Sequence, residues 1–507
     1  MLSGVLLAGS FPKFGHPAFA WVSLAPLIVA VVLSLGASGR PLRRAFLLGV
    51  LSGCAFFLGA LYWVVAVMNT YGGLAIPVAV PVALLLAAYL ALYPGLFGMF
   101  VAMSVRRLGI GGVWLAPAFW VATEWLRATL LGGFPWVLLG TSQSTVLPVA
   151  QLASVTGVYG LSALVALVST AAAMVALTPR PRHRVGAAAV ALLLVIVVGA
   201  GMFRIASGSL VRQGEVLRVG LLQGNIPQDL KWDPAQRQRI LDHYVDLSRQ
   251  VLGAGAGLVV WPEASTPFFF DVDAAMAQPI RRLAFESRTP FLIGTDTLER
   301  AGNGREQRIF NSAVLVGPDG RSKREYRKMQ LVPFGEYVPF KQILFFVGPL
   351  VEAVSDFSAG EEPVVFEDGT RRFSVAICYE SVYPWISRMF VERGSQLLMT
   401  ITNDAWFGRS SAAYQHFDQG ALRAIEEGRF VVRAANTGFT GAVDPYGRVL
   451  AKTELFEPAA ITVDVRLLDY RTLYSRLGDV AVWLSLGLTA AVVAVPGSRR
   501  RIAVATP

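Results

Sequence analysis

The feature that most constrains this chain is a series of apolar runs long enough to cross a lipid bilayer, which takes roughly 17–25 helical residues. Hydrophobic residues make up 54% of its 507 residues and charged residues only 16%, whereas a soluble domain carries about 25% charged residues. The runs lie at about 18–36, 44–68, 76–104, 110–131, 159–178, 185–204 and 479–496. An apolar opening segment, 1–10, lacks a basic start and a clear cleavage site, so it is counted as a first span rather than a signal peptide. The sequence therefore predicts a polytopic α-helical membrane domain with about eight spans.

The arginines between the runs indicate how the spans are oriented. They are concentrated in alternate loops and after the last run, at Arg40, Arg43, Arg44, Arg106, Arg107, Arg180, Arg182, Arg184, Arg499, Arg500 and Arg501. Loops rich in arginine and lysine stay on the cytoplasmic side of a membrane. Seven crossings from a cytoplasmic N-terminus then put residues 205–478 on the outer side.

The formal net charge of +11 does not indicate nucleic-acid binding, because the basic residues form short groups between the apolar runs. The sequence has no zinc spacing, no RNA-recognition aromatic motif and no long basic helix. Its two cysteines are Cys54, in an apolar run, and Cys378, in the polar part of the chain, and they do not suggest a disulfide framework.

One run contains two ionisable residues, Glu124 and Arg127, which are three positions apart and can pair on a helix. They form either an ion pair at the outer membrane interface or a polar wall of a substrate cavity. Ionisable groups at membrane depth are costly and often functional, which keeps the second interpretation open.

From about Val216 the pattern changes to short runs rich in β-branched residues that alternate with amphipathic stretches. The runs predicted to be strands are VLRVGLLQ, GLVVWPEA, PFLIGTDT, FNSAVLVG, FSVAICYE, QLLMTITN, FVVRAANT and AITVDV. Segments 234–252 and 273–287 are predicted to be helices. Strands alternating with helices are typical of a layered α/β domain.

Two predicted strands end at residues with catalytic potential. Glu263 follows LVVW, where partial desolvation suits a carboxylate that acts as a general base, although it can equally cap the next turn. Cys378 follows FSVAI and precedes a predicted helix with Pro384 in its first turns. A helix N-terminus there favours the thiolate and can hold an oxyanion, but free cysteines are also common as small buried apolar residues.

Lys328 lies in YRKMQLVPFGEYVP, a segment rich in turn formers. A lysine near a thiol can stabilise a thiolate and an oxyanion as a fixed cation. The alternative is a solvated lysine in a basic group with Lys323, Arg324 and Arg327.

Taken together, Glu263, Lys328 and Cys378 occur in the order and local contexts of the nitrilase (carbon-nitrogen hydrolase) superfamily, which this chain resembles. It is similar to one branch in particular, the bacterial apolipoprotein N-acyltransferases. The motifs that carry the resemblance are QGNIPQDLKWDP, WPEAS, YRKMQLVPFGEYVP, ICYES, TNDAWFG, RAANTGFT and, in the apolar part, FPWVLLGTSQ at 134–143. The resemblance covers nearly the whole chain and implies eight spans joined to an αββα sandwich domain.

The resemblance also implies roles for individual residues. Glu263 would be the general base, Lys328 the oxyanion stabiliser and Cys378 the nucleophile. The supporting residues it implies are Glu336, which orients Lys328 or relays protons, Tyr379 and Glu380, which follow the nucleophile, and Trp232, an aromatic at the substrate entrance. Core packing is the alternative for Trp232.

The implied reaction moves a fatty acyl chain from a membrane phospholipid to the N-terminal amine of a diacylglyceryl-modified cysteine on apolipoproteins, through a Cys378 thioester. The implied partners are the phospholipid, the apolipoprotein and the bilayer, without nucleic acid, metal or cofactor, and the chain is expected to be a monomer. The implied location is the bacterial inner membrane with the catalytic domain on the periplasmic side. The corresponding domains are 1–204, 205–478 and 479–507, and an apolar patch at 338–350 with Phe345, Phe346 and Leu350 would contact lipid.

Three other functions remain open at this stage. A membrane-tethered amidase or nitrilase would use the same three residues with water as the acceptor. A cysteine–histidine site would pair Cys378 with His243 or His416, and a non-enzymatic scaffold or transporter would carry an inactive domain. The sequence has no G-x-S-x-G, H-E-x-x-H, C-x-x-C or P-loop motif, so serine hydrolase, zinc and nucleotide chemistry lack support.

Overall fold

A computed structural model of the chain describes residues 1–37, 39–178, 181–300, 307–333, 335–337 and 357–495. The chain divides into two compact units. One consists of Met1–Asn69, Ala75–Ser207 and the C-terminal segment from Arg476, and the other of Thr70–Leu74 and Gly208–Ser475. The predicted lipid-contacting patch at 338–350 and the basic tail at 499–501 lie outside the described residues.

The first unit consists of helices whose sequences are dominated by Ala, Leu and Val. They are α1 (Leu2–Ala8), α2 (Ala20–Ser23), α3 (Ala25–Ser34), α4 (Pro41–Ala60), α5 (Trp63–Thr70), α6 (Ile76–Leu108), α7 (Ala116–Thr129), α8 (Leu147–Ala150), α9 (Ala153–Leu177) and α10 (Pro181–Ser207). A further helix, Val480–Ala494, follows the second unit in the chain. Helices satisfy their own backbone hydrogen bonds, as a segment surrounded by lipid must.

Five of the eight predicted spans are confirmed as helices long and apolar enough to cross a membrane. Their bounds are Pro17–Ser34, Pro41–Ala60, Ile76–Leu108, Ala153–Leu177 and His183–Arg212. The other three segments form shorter helices among the described residues, so eight full-length spans are not confirmed. The opening segment contributes only seven helical residues, the run at 110–131 only α7, and the last run only the helix Val480–Ala494. Glycines on either side of α7 limit its length.

Close backbone approach holds α4 against α6. A Cβ atom added at Gly49 would lie 2.1 Å from the carbonyl oxygen of Pro94, and one at Gly53 would lie 2.8 Å from the Cα of Ala91. Lipid supplies no hydrophobic drive between helices, so small residues that permit such contacts are the usual means of packing in membranes. Larger residues at these two positions would separate the helices.

Glu124 and Arg127 of α7 are buried, with 3% and 4% of their surfaces exposed. Glu124 Oε1 accepts a hydrogen bond of 2.6 Å from the Leu139 amide, and Arg127 Nη1 donates to the carbonyl oxygens of Phe134 and Trp136, each at 2.7 Å. Both side chains line a small cavity with Phe56, Phe57, Tyr93, Pro94, Trp120 and Thr123. Both side chains therefore line a cavity among the described residues, and their hydrogen bonds hold the loop that carries the FPW motif.

The second unit contains twelve strands among its described residues. They are β1 (Glu215–Gln223), β2 (Leu258–Val260), β3 (Phe291–Arg300), β4 (Gln307–Val316), β5 (Ser322–Arg327), β6 (Phe366–Asp368), β7 (Arg371–Ile377), β8 (Leu397–Thr402), β9 (Val431–Ala435), β10 (Gly441–Val443), β11 (Val449–Lys452) and β12 (Ala459–Leu467). Its helices are α11 (Arg237–Gly253), α12 (Ala274–Ser287), α13 (Pro384–Glu392), α14 (Ser411–Glu427) and α15 (Leu473–Leu477), after which α16 (Val480–Ala494) belongs to the first unit.

The strands form two six-stranded sheets, in the orders β12-β1-β2-β3-β4-β5 and β11-β10-β9-β8-β7-β6. Each sheet has three parallel strands at its centre, β1-β2-β3 in one and β7-β8-β9 in the other, and antiparallel strands outside them. All eight predicted strands are present. The four that the sequence did not indicate, β5, β6, β10 and β11, are short, and charged residues interrupt three of them.

Helices cover both sheets of this unit. The first sheet packs with α11 and α12 in one buried cluster, to which it contributes Leu222, Val259, Ile293, Val314 and, directly after β2, Trp261. On the second sheet α13 contacts β7 and α14 contacts β9. The two sheets meet where β1 contacts β9 and where the Asn225 amide donates to the Asn436 carbonyl oxygen at 2.8 Å. The predicted helices at 234–252 and 273–287 and the layered α/β fold are thereby confirmed.

Candidate active site

The carboxyl ends of the central parallel strands carry most of the polar residues of the site. Glu263 lies three residues after β2, while Cys378, Asn403 and Asn436 directly follow β7, β8 and β9. Ligand sites form at the carboxyl ends of parallel strands, and here hydrogen bonds join the ends of the two sheets. The Asn403 amide donates to Glu263 Oε2 at 2.7 Å, and Asn436 Nδ2 donates to Asn403 Oδ1 at 3.1 Å.

Glu263 is held in one orientation by contacts on both carboxylate oxygens. Besides the Asn403 contact, its Oε1 accepts a hydrogen bond of 2.7 Å from Asn311 Nδ2 and lies 3.5 Å from Lys328 Nζ. The backbone of Glu263 also packs closely against β3 at Gly294. A Cβ atom at Gly294 would lie 2.1 Å from the Pro262 carbonyl oxygen and 2.8 Å from the Glu263 Cα, so only glycine fits at that position. The carboxylate is therefore buried and fixed rather than free to cap a turn at the surface.

Lys328 is buried, with 1% of its side chain exposed. Its Nζ donates a 2.7 Å hydrogen bond to Glu336 Oε1. Burial alone would lower the pKa of Lys328, but the carboxylates of Glu336 and Glu263 raise that pKa well above its ordinary value. The ammonium is a permanent charge, and the alternative of a solvated lysine is wrong. Lys323, by contrast, is exposed and paired with Asp319.

Glu336 lies beside Lys328, where the resemblance implied a second carboxylate. Its Oε1 accepts from both Lys328 Nζ and Asn311 Nδ2, the latter at 2.9 Å, and its Oε2 accepts from the Val332 amide at 2.8 Å. With these contacts Glu336 sets the direction of the Lys328 ammonium.

Cys378 occupies a strained turn directly after β7. Its φ of +52° is in the left-handed region that non-glycine residues rarely adopt, and such strain is typical of functional sites. It begins a 3₁₀ turn, Cys378–Val382, and α13 starts only at Pro384. The expected full helix N-terminus at the thiol is therefore wrong, because one short turn replaces it.

Burial, followed by the negative charge of Glu263, raises the pKa of Cys378, while the charge of Lys328 and a hydrogen bond with Thr402 oppose this shift. The raised pKa means that the thiol is protonated at neutral pH. Burial and the charge of Glu263 thus oppose the thiolate that a helix N-terminus was expected to favour.

Glu380 joins the segment after Lys328 to the turn at Cys378. Its Oε2 accepts from the Ile377 amide at 2.8 Å, and its Oε1 accepts from Tyr326 Oη at 2.8 Å and from the amides of Met329 and Gln330 at 2.7 and 3.1 Å. Burial raises the pKa of Glu380 to about 7 despite these donors. The contacts of Glu380 make it a positioning residue for both Lys328 and Cys378.

Tyr379 and Trp232 have different environments. Tyr379 is buried and packs edge-on against Tyr383 with ring centroids 5.2 Å apart. Trp232 is 46% exposed, so core packing is wrong as its explanation. The residue before it, Lys231, is buried and donates to the carbonyl oxygen of Glu263 at 3.2 Å.

Each of the two histidines in the described part of this unit has a ring nitrogen close to a backbone carbonyl oxygen. His416 Nε2 lies 3.0 Å from the carbonyl oxygen of Cys378, and its Nδ1 lies 2.9 Å from Asp404 Oδ1. His243 Nε2 lies 2.9 Å from the carbonyl oxygen of Gly224. His416 therefore supports the turn that carries Cys378, and these contacts do not favour a cysteine–histidine site.

Four buried polar residues of the site were not predicted from the sequence: Asn311, Asn403, Lys231 and Asp296. Asn311 and Asp296 are polar residues inside otherwise apolar strand patterns, and Asn403 directly follows a strand in the TNDAWFG motif. A polar residue at an inward-facing position of a buried strand needs a hydrogen-bond partner, and this pattern could have indicated Asn311 and Asp296.

Glu380→Gln should destabilise the second unit and lower activity, because an amide offers one acceptor oxygen where the carboxylate serves four donors. Each buried donor left without a partner costs about 1–3 kcal/mol. Thermal unfolding in detergent should show a lower midpoint than wild type. The exposed Glu367→Gln is the control, and an equal effect of both changes would refute the positioning role of Glu380.

Comparisons with known proteins identify the family of this unit. Residues 218–474 match the family model described as Carbon-nitrogen hydrolase. Among solved structures, an amidase from Nesterenkonia sp. aligns with a TM-score of 0.40 at 21% identity, over 55% of this chain and 99% of that one. The family match defines the class of the second unit: it is a nitrilase-type α/β domain.

Relatives of the whole chain are more specific. Residues 3–171 match the model described as Apolipoprotein N-acyltransferase N-terminal domain. Proteins named Apolipoprotein N-acyltransferase from Geobacter metallireducens and Methylococcus capsulatus are 39% and 34% identical, each over 99% of this chain and 95% of its relative. One from Pseudomonas aeruginosa is 34% identical over 95% of both. The chain belongs to the apolipoprotein N-acyltransferase family, and its apolar helices make it a membrane-bound bacterial protein.

Proposed function

We propose that the chain transfers a fatty acyl group from a membrane phospholipid to the N-terminal amine of a lipid-modified cysteine on apolipoproteins. One observation carries this proposal. Both parts of the chain, the apolar helices and the α/β unit, align with relatives named Apolipoprotein N-acyltransferase. The buried group of Glu263, Lys328 and Glu336 also supports it, because the charges of Glu263 and Lys328 both act on the Cys378 thiol.

In the first half-reaction, Glu263 removes the proton from the Cys378 thiol, whose raised pKa makes a base necessary. The sulfur attacks the ester carbonyl of the phospholipid and forms a C–S bond. The C–O bond then breaks, and the leaving alkoxide takes the proton from Glu263. A lysophospholipid leaves and a thioester remains on Cys378.

The Lys328 ammonium stabilises the negative charge that develops on the carbonyl oxygen in both half-reactions. Glu336 and Glu263 keep it charged, and Glu336 keeps it aimed. Since the site is buried, this charge acts through a medium of low dielectric constant and is worth more than it would be in water.

In the second half-reaction the amine attacks the thioester, a C–N bond forms and the C–S bond breaks. A thioester suits an amine acceptor, and the exclusion of water protects it from hydrolysis. A nitrilase or amidase with water as the acceptor is the alternative, and it would release free fatty acid or ammonia instead of an acylated amine.

The proposed arrangement in the cell follows from the arginine pattern. Residues 1–204 and 479–507 would form the membrane domain with about eight spans in the bacterial inner membrane, and residues 205–478 would form the periplasmic catalytic domain. Trp232 would contact the substrate at the entrance to the site, and its half-exposed side chain supports this role. The protein would act as a monomer.

The covalent step can be tested by intact-protein mass spectrometry after incubation with phospholipid in detergent micelles. Wild type should gain the mass of one acyl chain, and Cys378→Ala should gain none and show no turnover. Cys378→Ser should accept the chain but transfer it slowly, because an oxygen ester is less reactive than a thioester. Normal turnover by Cys378→Ala would refute the mechanism, and release of free fatty acid without acylated peptide would favour the amidase alternative.

Lys328→Arg should reduce acyl-enzyme formation by about 100-fold or more, which is the usual effect of removing an oxyanion donor. A planar guanidinium cannot reproduce the compact ammonium between Glu336 and Glu263. The matched control is Lys323→Arg, since Lys323 is exposed and paired with Asp319. Similar rates for the two variants would show that Lys328 is not the oxyanion cation.

Orientation can be tested in intact spheroplasts with a membrane-impermeant lysine reagent. Lys323, which is exposed in the second unit, should be labelled. A lysine tag joined to the tail after residue 501 should react only once the membrane is permeabilised. Labelling of the tail with protection of Lys323 would invert the proposed topology.

A further inference from the structure

Asp296 is a buried carboxylate of the site to which the proposed reaction gives no role. It lies on β3 directly opposite Asn311 on β4, and 7% of its surface is exposed. Directly opposed residues of neighbouring strands have side chains on the same face of the sheet. Because Asn311 Nδ2 contacts both Glu263 and Glu336, the Asp296 side chain belongs to the same face as the catalytic carboxylates.

Two oxygen atoms at this point lack hydrogen-bond donors. Asp296 Oδ1 and Asn311 Oδ1 are both buried and have no partner among the residues that the structure describes. The Asn311 amide cannot rotate to change this, because its Nδ2 is fixed by two carboxylates at 2.7 and 2.9 Å. Buried acceptors without donors are rare in proteins and call for an explanation, such as a ligand that supplies N–H groups.

The charges around Asp296 favour a cationic ligand. The ionisable groups that interact with it are Lys231, Glu263, Glu336 and Lys328. With Asp296 itself, this set contains three carboxylates and two ammonium groups. The surplus carboxylate gives the set a net negative charge when all five are ionised, and an additional ammonium would neutralise it.

We propose that Asp296, together with the amide oxygen of Asn311, binds the ammonium form of the acceptor's N-terminal amine and takes one proton from it before the second half-reaction. This rests on the proposed acyl transfer. An N–H bond of the ammonium breaks, its proton goes to the Asp296 carboxylate, and the lone pair of the neutral amine becomes available. Asp296 later returns the proton to solvent.

The remaining steps balance without a further reactant. The neutral amine forms the C–N bond and passes its second proton to Glu263, and the C–S bond breaks. The thiolate of Cys378 takes that proton and the thiol is restored.

The proton affinity of Asp296 suits this exchange. Burial raises its pKa to about 7, against the opposing charge of Lys231, and free α-amino groups titrate at about 7.7–8.0. A proton can therefore move between the two groups at little cost in either direction.

Asp296→Asn tests the proposal in single-turnover experiments on the full-length protein in detergent. The variant is first loaded with phospholipid, and loading should match wild type within about twofold, since Glu263, Lys328 and Cys378 keep their contacts. A diacylglyceryl peptide with a free N-terminus is then added, and its transfer should be slower by about 10-fold or more, the value of a lost charged hydrogen bond, with a raised KM. Hydroxylamine, which is neutral at neutral pH, should discharge the thioester at the wild-type rate.

Asp418→Asn is the matched control, because Asp418 is a half-buried carboxylate of the same unit that interacts with Lys452; it should resemble wild type in every step. Equal slowing of Asp296→Asn with the peptide and with hydroxylamine would overturn the proposal, as would transfer at the wild-type rate. Loss of acyl-enzyme formation in Asp296→Asn would also overturn the proposal, because it would assign Asp296 to the first half-reaction. If wild type itself forms no thioester, the proposed acyl transfer fails as well, and that result is separate from any effect of the variant.

Discussion

The ion cluster of Lys328, Glu336 and Glu263 is the interaction on which the rest of the site depends. A buried ammonium is tolerated only when opposite charges and hydrogen bonds replace the water it has lost. Here Glu336 lies 2.7 Å and Glu263 3.5 Å from Lys328 Nζ. Asn311 bridges the two carboxylates and limits their movement. Both carboxylates raise the pKa of Lys328, so the segments that carry them are held to the lysine by the same contacts that keep it charged.

The same burial that strengthens the cluster makes the nucleophile harder to ionise. The thiol of Cys378 gains a raised pKa from burial and from the charge of Glu263, and Lys328 offsets only part of it. Activation must therefore come from transfer of the proton to a base and not from a resting thiolate. Glu380 stabilises this arrangement, because its carboxylate accepts hydrogen bonds from the backbone amide directly after Lys328 and from the one directly before Cys378.

Sequence patterns predicted the parts of this molecule that local order determines. The strand ends that carry Glu263 and Cys378 followed from short β-branched runs, and all eight predicted strands exist. Asp296 and Asn311 were not predicted as site residues, because only the cross-strand register makes them neighbours. In the sequence they are fifteen positions apart. Helix lengths were overestimated at 110–131 because apolar composition continues through the glycines that end α7. The raised pKa of Cys378 was not predicted, because desolvation by burial, its largest cause, is not visible in any local motif.

Two successive nucleophiles place different demands on one buried site. In the proposed first half-reaction the Cys378 thiol is neutral and loses one proton, which Glu263 would take. In the proposed second half-reaction the amine binds as a cation and loses two protons, one before and one during its attack, and a second carboxylate would take the first of them. Asp296 interacts with two lysines, Lys231 and Lys328, and with two further carboxylates, so the group contains one carboxylate more than it contains ammonium groups. In the proposed reaction, this surplus carboxylate is the charge that an ammonium acceptor would neutralise.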